Sequence, residues 1–257
     1  MLTELKDHMC QVPAGDYPLG HDRSVVSRPE HLVTLAAYEI GLTTVTNAVY
    51  ALFIEGGGYT ESAHWTEIGW RWRSGKDIRA PGFWSDTRYN RPQQPVVGVT
   101  WYEAYAFTRW LAAETEIAWR LPTEPEWEAA ALGTERRAPL PRNYNTLEQG
   151  RGRAWEVTEA GNTSWCGAQD LCGNVWEWCS TRWGRNWNWC DYLYPYDKGD
   201  NRENPEEGHT RIMRGGSWFD PLQEAVPTMR GRYAPGSRAS NIGFRLARDT
   251  LEKHNTE

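Results

Sequence analysis

The residues with the most chemistry to offer are five cysteines and six histidines, and their spacing organises few of them into a recognisable centre. Cys166, Cys172, Cys179 and Cys190 fall close together, but the intervals match neither paired C-x-x-C zinc knuckles nor a redox C-x-x-C. They read as buried free thiols, with Cys10 standing apart. None of the histidines His8, His21, His31, His64, His209 and His254 recurs at the i, i+4 spacing that puts two imidazoles on one helix face. There is no H-E-x-x-H, no G-x-S-x-G elbow and no phosphate-binding glycine loop. The adjacent pair Glu206-Glu207 reads as solvated surface rather than an acid/base couple.

Seven motifs run in order along the chain. They are Val12-Pro-Ala-Gly15, Thr43-Thr-Val-Thr-Asn-Ala-Val-Tyr50, Pro95-Val-Val-Gly-Val-Thr-Trp101 and Arg120-Leu-Pro-Thr-Glu-Pro-Glu-Trp-Glu128, then Asp170-Leu-Cys-Gly-Asn-Val-Trp-Glu-Trp178, Arg214-Gly-Gly-Ser-Trp218 and Asn241-Ile-Gly-Phe-Arg245. On these residues the chain resembles the formylglycine-generating-enzyme family, the sulfatase-modifying factors, over residues 10 to 248. The resemblance implies the compact, loop-rich form of the C-type-lectin-like fold as a single domain, with residues 1–9 and 249–257 as flexible ends.

The resemblance also says where catalysis belongs. In formylglycine-generating enzymes two cysteines separated by four residues follow the Gly-Gly-Ser turn and bind copper(I), a soft ion suited to thiolates. The corresponding positions here are Asp220, a hard oxygen donor, and Ala225, which is no ligand. A copper pair is therefore not expected, although Cys179 or Cys190 could approach by folding. Sulfoxide synthases of ergothioneine and ovothiol biosynthesis carry a similar domain fused to one bearing a three-histidine iron site, and no such histidine pattern appears here. Neither copper nor iron is expected. Calcium is implied instead, held by the side chains of Asp170 and Glu177 and the carbonyls of Gly173 and Val175, because the ion prefers several hard oxygens. Asn145 resembles part of a second calcium site whose other ligands do not align.

What remains is a recognition surface. Between Trp218 and Ser240 lies the segment that lines the peptide groove in the resembling enzymes and forms the ligand surface in the variable proteins of diversity-generating retroelements, which it also resembles. Its candidates for an exposed binding face are Trp218, Phe219, Asp220, Gln223, Glu224 and Arg230, followed by Arg232, Tyr233, Ser237, Arg238 and Ser240. They mix aromatic area, forked cations and hydroxyls. Arg230 and Arg245 are equally readable as internal ion pairs. The expected function is non-catalytic binding of a peptide, protein or other ligand. Two alternatives stand beside it: a metal-dependent oxidase of the same family with an altered site, and an architectural subunit using the Trp183 to Trp189 loop.

Composition narrows the partners. The chain has 257 residues and a net charge of −6, with no Lys/Arg run, which argues against nucleic acid. No charged start with an apolar stretch and no long apolar run is seen, so neither a membrane span nor a secretory leader is expected and the expected compartment is the cytoplasm.

The elements that must position these groups are few. Thr46 can cap a helix through Phe53 that Gly56-Gly-Gly58 ends. Thr100 with Glu103 forms a capping box ahead of Phe107, Trp110 and Leu111, and Thr123 with Glu126 repeats the device ahead of Trp127, Ala130 and Ala131. Short strands are expected at Leu32–Leu35, Arg211–Arg214 and Gly243–Leu246. The class is α+β with about three helices, and 24 glycines and 15 prolines punctuate long loops. Residues 62–90 and 182–208 are expected as exposed loops. Sixteen tryptophans exceed what a core absorbs, and the motifs leave Trp183, Trp187 and Trp189 without a role.

Overall fold

Side-chain caps place the helices. In the computed structural model, which describes residue 2 and residues 4–22, 24–138 and 143–250, Thr46 accepts a hydrogen bond from Val49 N and starts α1, Asn47–Glu55. Both predicted capping boxes form: Thr100 and Glu103 open α3, Trp101–Thr115, and Thr123 and Glu126 open α4, Glu124–Leu132. One helix, α2 (Glu67–Gly75), lies in the segment expected as a loop and is capped by Thr66, whose hydroxyl accepts from Gly69 N at 3.0 Å. Gly69 conceals this helix in the sequence and is required by it, since a Cβ there would sit 3.1 Å from Tyr102 on α3.

Three expected strands become nine short ones among the described residues. Strands β1 (Met9–Val12), β4 (Tyr38–Gly41) and β9 (Ala247–Asp249) form a sheet in the order β1-β4-β9, and β2 (Gly15–Leu19) pairs with β3 (His31–Leu35). The central sheet runs β7 (Gly231–Tyr233), β6 (Thr210–Arg214), β5 (Trp176–Gly184), β8 (Ile242–Gly243). Only the β5–β8 pair is parallel. The strand expected at Gly243–Leu246 is shorter and ends at Gly243, after which Phe244 and Leu246 turn into the core. Of the ends expected to be flexible, Leu2 and Leu5 pack against the core and Asp249 pairs with Tyr38, while residues 251–257 lie outside the described residues.

Aromatic packing dominates one half of the core. Tyr50 stacks on Phe107 at 5.3 Å and meets Phe53 edge-on at 5.3 Å, and Phe53 in turn meets Trp110 at 5.5 Å. The other half is built on buried charge. Glu124 and Glu128 on α4 meet Arg214 on β6 and Arg230 just before β7, and all four side chains are fully buried. These pairs fix where the segment after the Gly-Gly-Ser turn must run.

Candidate ligand-binding site

Two glycines make the turn after β6. Gly215 and Gly216 adopt φ of 102° and 71°, and a Cβ on Gly216 would lie 2.6 Å from the Ala225 Cα, so only glycine lets the turn settle against that position. Ser217 is buried and its hydroxyl donates to Asp220 Oδ2, while accepting from Asn241 Nδ2 at 2.9 Å. The same Asp220 oxygen accepts from Trp176 Nε1 at 2.8 Å. Asp220 is thereby a brace for the turn and for β5.

Ala225 is buried against Tyr144, Cys172 and Leu222. The thiol that folding brings to this position is Cys172, rather than Cys179 or Cys190, whose approach the sequence left open, and burial pushes it up to about 12. Cys179 packs in a different cluster, with Trp127 and Trp183, and burial raises its thiol well above the ordinary value. Among the described residues no three His, Cys, Asp or Glu side chains converge where a metal ion could be held.

The expected binding face is divided by the fold. Phe219, Gln223 and Glu224 are exposed, and Trp218, Asp220, Tyr233, Ser237 and Ser240 are half-buried. Arg230 points inward: its Nε and Nη2 donate to Glu124 at 2.8 and 3.0 Å, so it belongs to the core. Arg238 also turns in, donating to Glu103 Oε1 at 2.6 Å and to Ala80 O at 2.8 Å with its guanidinium over Trp72. Arg232 remains at the surface between Trp183 and Trp187.

Two residues that sequence reasoning missed complete the face. Phe83 meets Tyr89 edge-on at 5.5 Å, Tyr89 stacks on Trp218 at 6.4 Å, and Trp218 meets Phe219 at 5.5 Å. This row of four rings has exposed ends, Phe83 at 40% and Phe219 at 62%. Nothing in the sequence joins the first pair to the second, 129 residues of separation between Tyr89 and Trp218 being closed only by the fold. Beside the Phe219 end, Leu147 N donates to Asp220 O, and Glu148 accepts from Leu222 N. Leu147 there is 56% exposed.

The calcium expectation can be set against the donors. Glu177 receives Arg245 on both oxygens, at 2.5 and 2.6 Å, and Trp127 Nε1 at 2.7 Å. Asp170 Oδ1 accepts from Gly161 N and Asn162, and Oδ2 accepts from Trp155 Nε1 at 2.9 Å. A guanidinium thus already engages both oxygens of Glu177, so calcium at Asp170, Gly173, Val175 and Glu177 would have to share that carboxylate with Arg245. Arg245, which the sequence left open, is an internal ion pair. Asn145 donates to Asn174 Oδ1 at 3.0 Å and its own Oδ1 is buried without a partner among the described residues, but one neutral oxygen is not a calcium site.

A separate recess of about 520 Å³ lies away from this face, between the N-terminus of α1, His8 and Gln169. No helix among the described residues is long and apolar enough to cross a membrane.

Comparison with known proteins agrees with the architecture. The chain is 34% identical over 259 residues to the hercynine oxygenase of Mycolicibacterium thermoresistibile, covering 93% of this chain and 56% of that protein. It thus spans little more than half the length of such relatives. To the formylglycine-generating enzyme of Thermomonospora curvata it is 28% identical over 301 residues, covering 96% of this chain and 95% of that one. Among solved structures, variable protein 1 of Treponema denticola superposes with a TM-score of 0.68 at 24% identity, covering 94% and 95% of the two chains, a likeness of fold. The fold is the α+β, C-type-lectin-like one expected. With the family model for the sulfatase-modifying factor enzyme 1-like domain matching residues 3–250, the chain belongs to the formylglycine-generating-enzyme family.

Proposed function

We propose that this chain is a non-catalytic ligand-binding member of its family, recognising a peptide or protein along the face that contains Trp218 and Phe219. The observation that carries this reading is the ring row Phe83, Tyr89, Trp218, Phe219, whose exposed ends are joined through the buried Tyr89 and the half-buried Trp218. Rigid aromatic area of this kind binds at little entropic cost, and carbonyl and carboxylate groups beside it supply direction. The turn that places the catalytic cysteines in the resembling enzymes here carries Asp220, engaged with Trp176 and Ser217, and a buried Ala225.

The relatives named hercynine oxygenase favour a second reading, in which this chain forms part of an oxygenase and the metal ligands come from another segment or chain. One experiment separates the two. Protein incubated with copper(I) or iron(II), with and without hercynine, is assayed for bound metal and for oxygen uptake. Binding-only function predicts no stoichiometric redox metal and no uptake, and either result in the positive would overturn it. Selection of peptides from a display library, repeated on Phe219→Ala, tests the face itself: peptides that bind both proteins equally would move recognition elsewhere.

A further inference from the structure

Arg230, Arg232 and Arg238 stand in one segment, and only Arg232 lacks an acidic partner. Arg230 ends on Glu124 and Arg238 on Glu103. Arg232, on β7, makes no ion pair among the described residues, and its single hydrogen bond there runs from Nε to Trp187 O at 2.8 Å. Its two terminal nitrogens are left as uncommitted donors. The guanidinium lies over two indoles, 4.4 Å from the ring centre of Trp183 and 4.8 Å from that of Trp187. Burial lowers the pKa of Arg232 from the usual arginine value, Cys190 opposes this only in part, and the neighbouring Arg230 charge acts with burial. At Arg230 burial also disfavours the charge, but Glu124 reverses the balance and the pKa is raised. A guanidinium in the first situation gains from an anion that its surroundings have not supplied.

The loop around it is stiff and open. Asp191 accepts from Arg185 N at 2.8 Å and pairs with the Arg185 guanidinium at 3.1 Å, while Asn186 Oδ1 accepts from Asn188 N at 3.0 Å. Tyr233 meets Trp187 edge-on at 5.5 Å. On this frame Trp187 is 46% exposed and Trp189 59%, beside a recess of about 490 Å³ bordered by Arg185, Asn186 and Asn188. Charge selects what fits there. A cationic ligand would meet Arg232, and a polyanionic chain would meet the net negative charge of residues 182–208, which carry six acidic residues against four basic ones. A single carboxylate escapes both penalties, and a planar fork with two uncommitted terminal nitrogens is the group that binds it with two parallel hydrogen bonds.

We propose that Arg232 is an anion-recognition residue that takes the carboxylate of a small organic acid or of a peptide, whose apolar or aromatic body lies along Trp187 and Trp189. The site shares the Trp218–Ser240 segment with the binding face described above, and rests on that reading only for the assignment of recognition to this segment.

The test uses the full chain, labelled with nitrogen-15 and observed at its indole Nε1–H signals, with Trp187→Phe and Trp189→Phe assigning the two that matter. Benzoate and its neutral analogue benzamide are the probes. Benzoate is expected to shift the Trp187 and Trp189 signals with millimolar-range affinity, and benzamide is not. Arg232→Gln should weaken benzoate binding at least about tenfold with the other indole signals in place, and Arg232→Lys should retain part of it. Equal binding of benzamide, unchanged binding to Arg232→Gln, or no benzoate binding to the native chain overturns the proposal. A tryptophan-containing tripeptide with a free C-terminus, compared with its amidated form, distinguishes the sources: a free form that binds tighter than benzoate assigns a peptide carboxylate, and the reverse assigns a small acid. Phe219→Ala should leave benzoate affinity unchanged, so failure of the ring row as a peptide face does not touch this result. Loss of benzoate binding in that variant would place the anion away from Arg232 and overturn the assignment.

Discussion

Replacing Glu124 by Gln keeps the size of the side chain and removes the charge on which two buried arginines depend. Glu124 is fully buried at the first turn of α4 and receives Arg230 at 2.8 and 3.0 Å and Arg214 at 3.1 Å. Arg214 keeps Glu128 after the change, whereas Arg230 keeps only carbonyls, those of Val26 and Tyr192. Breaking a buried pair on one side costs about 3–5 kcal/mol, because the surviving charge stays desolvated without compensation. For a chain of this size each kcal/mol moves the melting temperature by about 2–4 °C, so Glu124→Gln should melt roughly 6–20 °C lower in calorimetry at neutral pH. The sign of the pH dependence follows from the same contacts. Burial alone would raise the Glu124 carboxyl, but Arg230 and Arg214 outweigh it and hold the pKa below the usual glutamate value. Its contribution is therefore complete above the ordinary glutamate pKa and is lost as pH falls through the lower, folded-state value. The native chain should lose stability across that acid window, and the melting-temperature gap to Glu124→Gln should narrow there. A decrease under about 2 °C at neutral pH would refute the reasoning, since Arg230 would then have an exit to solvent and would be free to meet a ligand.

Two further outcomes test the site. Thiol titration of the native protein near neutral pH should proceed first at Cys166, whose thiol is held below the ordinary value chiefly by a hydrogen bond from Cys10, while Cys172 and Cys179 stay unreactive until denaturant is added. Prompt labelling of Cys172, detected by peptide mass mapping, would show that the pocket at Ala225 is open to reagents. Adding millimolar calcium should leave the melting temperature unchanged, because Arg245 occupies both Glu177 oxygens. A rise of several degrees that a chelator reverses would mean that the guanidinium yields its place to the ion.

Local chemistry and ordered motifs were legible in the chain itself. The caps of α1, α3 and α4 involve partners three residues apart, so the residues that start each helix announce it. The family, and the absence of thiolates at the positions of Asp220 and Ala225, follow from motif order and need no coordinates. Strand β5 stayed hidden because eight of its nine residues are buried, which erases the alternation that marks a half-exposed strand. Helix α2 stayed hidden because Gly69 looks like a breaker until Tyr102 is seen against it. The arginines of the binding segment show the limit most sharply. Arg230, Arg232 and Arg238 are the same residue within nine positions, yet one is core, one a brace and one a free fork. The partners that decide this, Glu124 and Glu103, lie 106 and 135 residues away in the chain, and a charge interacts with whatever the fold brings near it in space.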